Sequence, residues 1–178
     1  FTNVYPVDSR NLSTGIGHLV LDAAEMAEQG MDAADIASAL EKKREKLDVS
    51  FVIDTLEYLK RGGRCSALVA MSANLLHLKP CIEVKDGKMG VGKKYRGSFE
   101  KCLVQYITDK IGARSDLELR RVFITHSGLP EETVQKAVET VQKLQPFDEI
   151  CVTRAGCTVS SHCGPGTIGV LYIRKAEA

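Results

Sequence analysis

Residues 121–153 read RVFITHSGLPEETVQKAVETVQKLQPFDEICVT, and this stretch decides the fold class. Short apolar runs at 121–125 and 149–153 predict two β-strands. Between them, apolar positions from Pro130 to Leu144 recur at helical spacing, and the proline suits a first helical turn. Strand, helix and strand in succession predict an α/β or α+β fold, with a sheet that helices cover on one side.

The segments on either side continue the same alternation. Asp86-Gly87 predicts a hairpin turn between strands at 81–84 and 89–95. Further predicted elements are a strand at 49–54, short helices at 56–60 and 66–76, a helix beginning at Gly97-Ser98, a polar glycine-rich loop at 157–167 and a last strand at 168–173.

The first 47 residues have a different pattern. Apolar positions at helical spacing predict one helix from Ile16 that Gly30 ends, and a second helix that Asp32 caps. The second helix runs into EKKREK at 41–46, which is typical of a solvated helix face. The change to a strand pattern at Asp48 places a predicted domain boundary between residues 1–47 and 48–178.

Composition narrows the class of protein. The 178 residues include 44% hydrophobic and 26% charged residues, which excludes a mostly disordered chain. Lys and Arg number 24 against 23 Asp and Glu, a balance that argues against nucleic acid or an anionic membrane as partner. No apolar run reaches the roughly 18 residues of a membrane span, so stable membrane insertion is not expected.

Two further features bear on location and completeness. The six cysteines form no CxxC pair, which indicates reduced thiols in a cytoplasmic protein. The chain begins FTN, without Met and without a signal-peptide pattern. We interpret it as an interior piece of a longer protein, or as a protein that has lost its start.

The first candidate site is Arg64, which follows the pair Gly62-Gly63. The glycines allow a close backbone turn, and the start of a following helix would add free N–H groups. An arginine there suits a carboxylate or a phosphate. The alternative is a helix C-cap with an exposed arginine.

The second candidate is SSHCGPGT at 160–167. The Gly-Pro-Gly bend has little steric bulk, so it can direct His162, Thr167 and backbone N–H groups at one anion. The alternative is a tight turn with a solvent-facing histidine. His126 follows a predicted strand, where a histidine either serves a site or simply occupies a turn.

A different chemistry is conceivable at Cys157, His162 and Cys163. These residues cluster in sequence and could centre a cysteine- and histidine-dependent or metal-dependent enzyme. Their spacing matches none of the usual zinc patterns, and no nucleophile signature surrounds them. This interpretation stays open as the alternative to a binding protein.

Four blocks of sequence extend over nearly the whole chain. They are DS at 8–9 followed by LSTGIG at 12–17, DTLEYLKRGGR at 54–64, LKP at 78–80 with DG at 86–87, and HCGPGT at 162–167. Together these blocks resemble the DegV family and occur in that family's order, and the second and fourth are specific in combination.

The resemblance implies a bacterial, cytoplasmic fatty-acid-binding protein of two α/β domains, the second of α+β character, with a long-chain fatty acid between them. Some members present the acyl carboxylate to a separate ATP-binding fatty acid kinase subunit and carry no catalysis themselves. No metal and no cofactor besides the bound fatty acid is implied. By this resemblance, residues 1–47 are the end of the first domain and 48–178 the complete second domain.

The resemblance also implies site residues. Arg64, His162 and Thr167 would hold the carboxylate, while hydroxyl contacts from the first domain lie outside these 178 residues. The tail would run through an apolar tunnel, and the same apolar residues could equally be ordinary core. The expected lining residues are Leu68, Met71, Leu75, Leu76 and Ile82.

Overall fold

The structure is a computed structural model that describes residues 2–63 and 78–175. Its helices are α1 Thr14–Glu28, α2 Ala33–Arg44, α3 Glu57–Arg61, α4 Phe99–Ile107, α5 Glu131–Leu144 and α6 Cys157–Cys163. Its strands are β1 Leu47–Ile53, β2 Leu78–Lys85, β3 Lys88–Arg96, β4 Leu117–Ser127, β5 Glu149–Arg154 and β6 Thr167–Arg174. A π-helical turn, Thr108–Gly112, continues α4.

The six strands form one mixed sheet in the order β3-β2-β1-β6-β4-β5. β4 and β5 are parallel and are joined by α5, while the other neighbours are antiparallel. The strand–helix–strand unit predicted from residues 121–153 is therefore present, and the α/β fold class is confirmed. The hairpin predicted at Asp86-Gly87 joins β2 and β3.

α4 and α5 cover one face of the sheet and enclose the main core. Tyr106 on α4 is fully buried, and its hydroxyl donates to the Ser50 carbonyl at 2.8 Å. The same hydroxyl accepts a hydrogen bond from the Val170 N–H at 2.9 Å. These bonds fix α4 against the two central strands, because a buried tyrosine hydroxyl needs polar partners.

The loop predicted at 157–167 is wrong in its first half, since residues 157–163 form α6. The Ser160 N–H donates to the Gly156 carbonyl at 2.9 Å, and the Ser160 hydroxyl bonds the Ala155 carbonyl at 3.1 Å. Serine and threonine favour turns because their hydroxyls compete for backbone groups. Here the hydroxyls bond preceding carbonyls and leave the helix intact.

α1 packs on the opposite face of the sheet. Its buried residues, Gly15, His18, Leu19 and Asp22, recur at helical spacing. The His18 ring meets Phe123 of β4 edge-on at 4.7 Å, and its Nε2 lies 3.1 Å from the Leu171 carbonyl. Nε2 must donate to that carbonyl, and burial lowers the pKa of His18, so the neutral ring carries its proton on Nε2.

A cluster of charged side chains joins α1 and α2 to β4. Arg121 on β4 contacts Glu25 at 2.7 Å and Asp22 at 3.6 Å on α1, and Glu149 on β5 at 2.6 Å. Lys43 on α2 also contacts Asp22, at 2.7 Å. Asp22 and Arg121 are both less than a tenth exposed, so their burial depends on the opposite charges that this cluster supplies.

Removing the Arg121 charge should destabilise the fold. In Arg121→Met, three carboxylates lose the cation they share, and we expect the free energy of unfolding to fall by about 3 kcal/mol. Arg120→Met is the matched control, because Arg120 is 47% exposed and contacts only Glu25 among the described residues. Its cost should be below about 1 kcal/mol in urea unfolding curves. Equal losses in both variants would contradict a special role for Arg121.

Candidate functional site

A cavity of about 550 Å³ lies on the sheet face that α4 and α5 leave uncovered. Its volume falls within the range of small-molecule pockets, roughly 300–1,000 Å³. Strand register explains the floor, because partners in adjacent strands point to the same face. Floor residues in register are Val49, Phe51, Val84, Met89, Gly169 and Leu171.

Gly169 keeps the floor of the cavity low. A Cβ at this position would lie 2.8 Å from the Ser50 carbonyl oxygen and 3.1 Å from the Phe51 Cβ. Only glycine fits this close approach of β6 and β1 without a backbone shift. The missing side chain at Gly169 therefore leaves space for the cavity above the central strands β1 and β6.

Hydroxyl groups gather at one end of the cavity. Ser127 ends β4 and Thr167 begins β6, and the two are in register. Behind them, the Thr125 hydroxyl lies 2.5 Å from that of Thr14 and 2.9 Å from that of Thr153. The first of these bonds holds the start of α1 against the sheet.

The predicted site residue Thr167 lies in this polar end. It is buried, and its Oγ1 donates to the Cys163 carbonyl at 3.0 Å. His162, one residue earlier on α6, does not line the cavity. Its ring packs on Gly62, where a Cβ would lie 2.1 Å from Nδ1. That nitrogen is buried without a hydrogen-bond partner among the described residues.

Two sequence blocks that are about a hundred residues apart meet beside the cavity. α3 packs on α6, and the turn after α6 approaches Tyr58 closely. Gly164 has a φ of +76°, and a Cβ there would lie 2.2 Å from the Tyr58 ring. Glycine is required both for the backbone conformation and for the space. The contact fixes the chain that leads into Thr167.

His126 is a cavity-lining residue that sequence analysis left undecided. It precedes Ser127 at the polar end, and its Nδ1 is buried without a hydrogen-bond partner in the described part of the chain. Burial, and then the nearby charge of Arg154, lower the pKa of this histidine. It is therefore neutral near neutral pH and can serve as donor or acceptor.

Most of the other predicted site residues cannot be placed. Arg64 and the predicted tail-lining residues Leu68, Met71, Leu75 and Leu76 lie outside the described residues. Ile82 is fully buried and belongs to a cluster with Ile53, Leu59 and Cys163. It does not line the cavity, but this cluster also packs against the lining residues Phe51 and Met89.

A segment before α1 forms a further wall that sequence reasoning missed. Residues 8–14 cross the cavity, and their order D-S-R-N explains their shape. The Asp8 carboxylate accepts from the Arg10 N–H at 2.8 Å, and the Ser9 hydroxyl accepts from the Asn11 N–H at 3.1 Å. Asp and Ser side chains commonly bond the backbone in this way, which was the available signal.

Comparison with known proteins gives long, consistent matches. A DegV domain-containing protein of Clostridium perfringens is 32% identical over 170 residues, which are 94% of this chain and 57% of that protein. One of Caldanaerobacter subterraneus is 31% identical over 95% of this chain and 60% of that protein. The chain thus spans about three-fifths of the length of these relatives.

Solved structures agree with the fold. The structure reported for fatty acid binding of a DegV family protein from Thermus thermophilus superposes with a TM-score of 0.80 at 30% identity. The match covers 94% of this chain and 60% of that one. The Fatty Acid Kinase (Fak) B3 protein of Streptococcus pneumoniae, loaded with linoleic acid, gives a TM-score of 0.80 at 21% identity, over 93% and 58% of the two chains, and shows the shared fold alone.

Within the part of the chain that the structure describes, no helix is both long and apolar enough to cross a membrane.

A known protein family also matches the chain. Residues 1–175, nearly the whole length, match a family described as "Uncharacterised protein, DegV family". The resemblance to this family is therefore confirmed, and the chain belongs to the DegV family.

Proposed function

We propose that this protein binds a long-chain fatty acid, with the hydrocarbon tail in the cavity on the open face of the sheet. The observation that carries the proposal is the cavity itself, which has an apolar floor and hydroxyl groups at one end. Burying methylenes there contributes about 0.8 kcal/mol each, so affinity needs few polar contacts. The bound fatty acid is a ligand, and the function needs no cofactor.

Similarity supports the same ligand class. The relative of known structure at 30% identity is a protein whose structure concerns fatty acid binding. Its match covers 94% of this chain. About two-fifths of each relative is unmatched by this chain. In this proposal that remaining part completes the enclosure of the ligand between two domains, 1–47 belonging to the first and 48–178 to the second.

The direction of the ligand follows from register. Thr167 pairs with Ile53 at the polar end, and Leu171 pairs with Val49 four residues further along β6. That spacing corresponds to roughly 13 Å of strand. We place the carboxylate beside Thr167 and the tail along β6 and β1 toward the β2–β3 hairpin.

Donors for the carboxylate come from several elements. A carboxylate only accepts hydrogen bonds, so Thr167 would turn its hydroxyl hydrogen from the Cys163 carbonyl to the ligand. Ser127 lines the cavity beside it. The His162 ring packs on Gly62 outside the cavity lining, so in this proposal it turns its Nδ1, which lacks a partner among the described residues, toward the carboxylate when the ligand binds. Arg64 completes the proposed set.

We further propose that the protein acts in the cytoplasm as the binding subunit of a fatty acid kinase and presents the carboxylate to a separate ATP-binding subunit. The structural neighbour from Streptococcus pneumoniae is itself named for fatty acid kinase. In this proposal the acid end faces the surface near α3 and α6, where a second protein could reach it.

The rival enzyme centred on Cys157, His162 and Cys163 has weaker support. Burial raises the pKa of the Cys163 thiol to about 11, the opposite of what a nucleophilic cysteine needs. Cys157 is exposed at the start of α6. Among the described residues, no three His, Cys, Asp or Glu side chains are grouped so that they could hold a metal ion.

Filling part of the cavity should weaken fatty-acid binding. Val49→Phe adds a ring to the floor, whereas Val152→Phe makes the same change at a position on β5 that is 45% exposed. We expect mass spectrometry of a denaturing organic extract to find near-stoichiometric fatty acid in the wild type and the control. Val49→Phe should lose roughly tenfold or more of its affinity for palmitate. A clean wild-type extract, with no binding of added palmitate or oleate, would refute the proposed function.

The polar contacts can be separated from the apolar ones by comparing palmitate with palmityl alcohol. Thr167→Val and His162→Ala should each weaken palmitate binding roughly tenfold, because a hydrogen bond to a charged group is lost. The alcohol should be affected much less. Thr158→Val on the exposed side of α6 is the control. Unchanged palmitate affinity, together with unchanged acyl-phosphate formation with the kinase subunit, would remove the substituted residue from the site.

The reactivity of the cysteine thiols tests the alternative proposal of an enzyme centred on Cys157, His162 and Cys163. At neutral pH we expect iodoacetamide to modify Cys163 roughly a hundredfold more slowly than an unperturbed thiol, because so little of it is thiolate. Peptide mass spectrometry would follow each cysteine separately, with exposed Cys157 as the internal comparison. Rapid alkylation of Cys163, with loss of an activity that Cys163→Ser also lacks, would favour the enzyme.

A further inference from the structure

A second cavity lies behind the end of the first. Its volume is about 480 Å³, and most of its wall is charged. The two cavities share the wall residues Arg10, Asn11, Val49, Val84, Asp86 and Gly87. Beyond the shared wall, Leu47 is the one apolar lining residue in the described part of the chain, and the other eight are charged: Arg44, Glu45, Asp48, Glu83, Lys85, Lys110, Arg114 and Arg174.

Arg10 stands at the centre of the shared wall. Its backbone lies against the β2–β3 turn, where a Cβ on Gly87 would be 3.7 Å from the Arg10 Cβ and carbonyl oxygen. Its guanidinium Nη1 contacts Glu45 at 3.0 Å and Asp86 at 3.9 Å. The side chain thus spans from the segment before α1 to the end of α2 and to the hairpin.

The shape of the backbone holds Arg10 in this place. Its φ is +50°, which is uncommon for a residue other than glycine. The bonds from Asp8 and Ser9 to the following N–H groups, and an Arg44 side chain that donates to the Asp8 carbonyl at 2.7 Å, stabilise the turn. The guanidinium is therefore directed across the wall at low entropic cost.

We infer that Arg10, held by Glu45 and Asp86, is the end stop of the acyl cavity and sets the longest chain that the protein accepts. The inference rests on the proposed function. A tail directed from Thr167 toward the hairpin gains free energy for each methylene until it reaches Arg10. Beyond Arg10 the wall is charged, so an apolar terminus gains little there and would also have to displace the guanidinium from its carboxylates.

The ion pair that holds Arg10 in place is a weak one. Arg10 and Glu45 are 39% and 48% exposed, and such exposed ion pairs contribute little to stability. Removing the side chain should therefore leave the fold intact and join the two cavities. Arg120→Ala is a matched control, since Arg120 is 47% exposed, also makes one short ion pair and lines neither cavity.

The test is competition binding of myristate, palmitate, stearate, arachidate and behenate to the delipidated full-length protein. In the wild type, affinity should rise by roughly tenfold for each added pair of methylenes and then stop rising at one member of the series. Arg10→Ala should move that limit to a longer acid by at least one member. Glu45→Ala, which frees the guanidinium, should move it in the same direction, and Arg120→Ala should leave it unchanged.

The outcomes separate the two proposals. Binding of no acid by the wild type would refute the proposed function and the end stop together. Binding with the same limit in the wild type, Arg10→Ala and Glu45→Ala would overturn the end stop alone. The melting temperature of each variant shows that a changed limit does not come from unfolding.

Discussion

The buried charge cluster that joins α1 to β4 is the constraint on which the cavity depends. Arg121 contacts Glu25 at 2.7 Å and Asp22 at 3.6 Å on α1, and Lys43 contacts Asp22 at 2.7 Å. Because these charges would be costly to bury without their partners, the helix has one strongly preferred position. That position places the segment that precedes α1, which lines the cavity.

The two faces of the sheet have different tasks. One is filled by α4 and α5 with a dense core in which even the Tyr106 hydroxyl is bonded. The other face is covered only in part, by α1, and the absence of a side chain at Gly169 deepens the cavity on that face. Unfilled apolar space lowers the free energy of unfolding. The densely packed face compensates for that loss. The same strands thus serve as both scaffold and binding floor.

The polar and apolar ends of the cavity divide recognition in the proposed function. Hydroxyls at the junction of β4 and β6 suit an acid group, whereas the floor suits any hydrocarbon of the right length. Selectivity among fatty acids would then come from where the cavity stops rather than from polar contacts. Arg10 is well placed to decide this, since it separates apolar from charged surroundings.

Local sequence rules predicted most of the elements. The β2–β3 hairpin follows from Asp86-Gly87, and α5 follows from its apolar spacing and Pro130, because turn geometry and helical periodicity involve near neighbours only. The same rules failed at α6, where two serine hydroxyls, of Ser160 and Ser161, bond to preceding carbonyls. The boundary after residue 47 stays a prediction, with β1 beginning at Leu47.

By itself, the sequence determined the α/β class, the order of elements and the blocks that mark the DegV family. It placed Thr167 and His162 among the candidates but could not show that only Thr167 lines the cavity, because that depends on how α6 packs on α3. Only the tertiary structure brought His126, Gly169 and Arg10 to one cavity. These residues are far apart in the chain, and strand register and the buried charges of α1, which are non-local, decide where they meet.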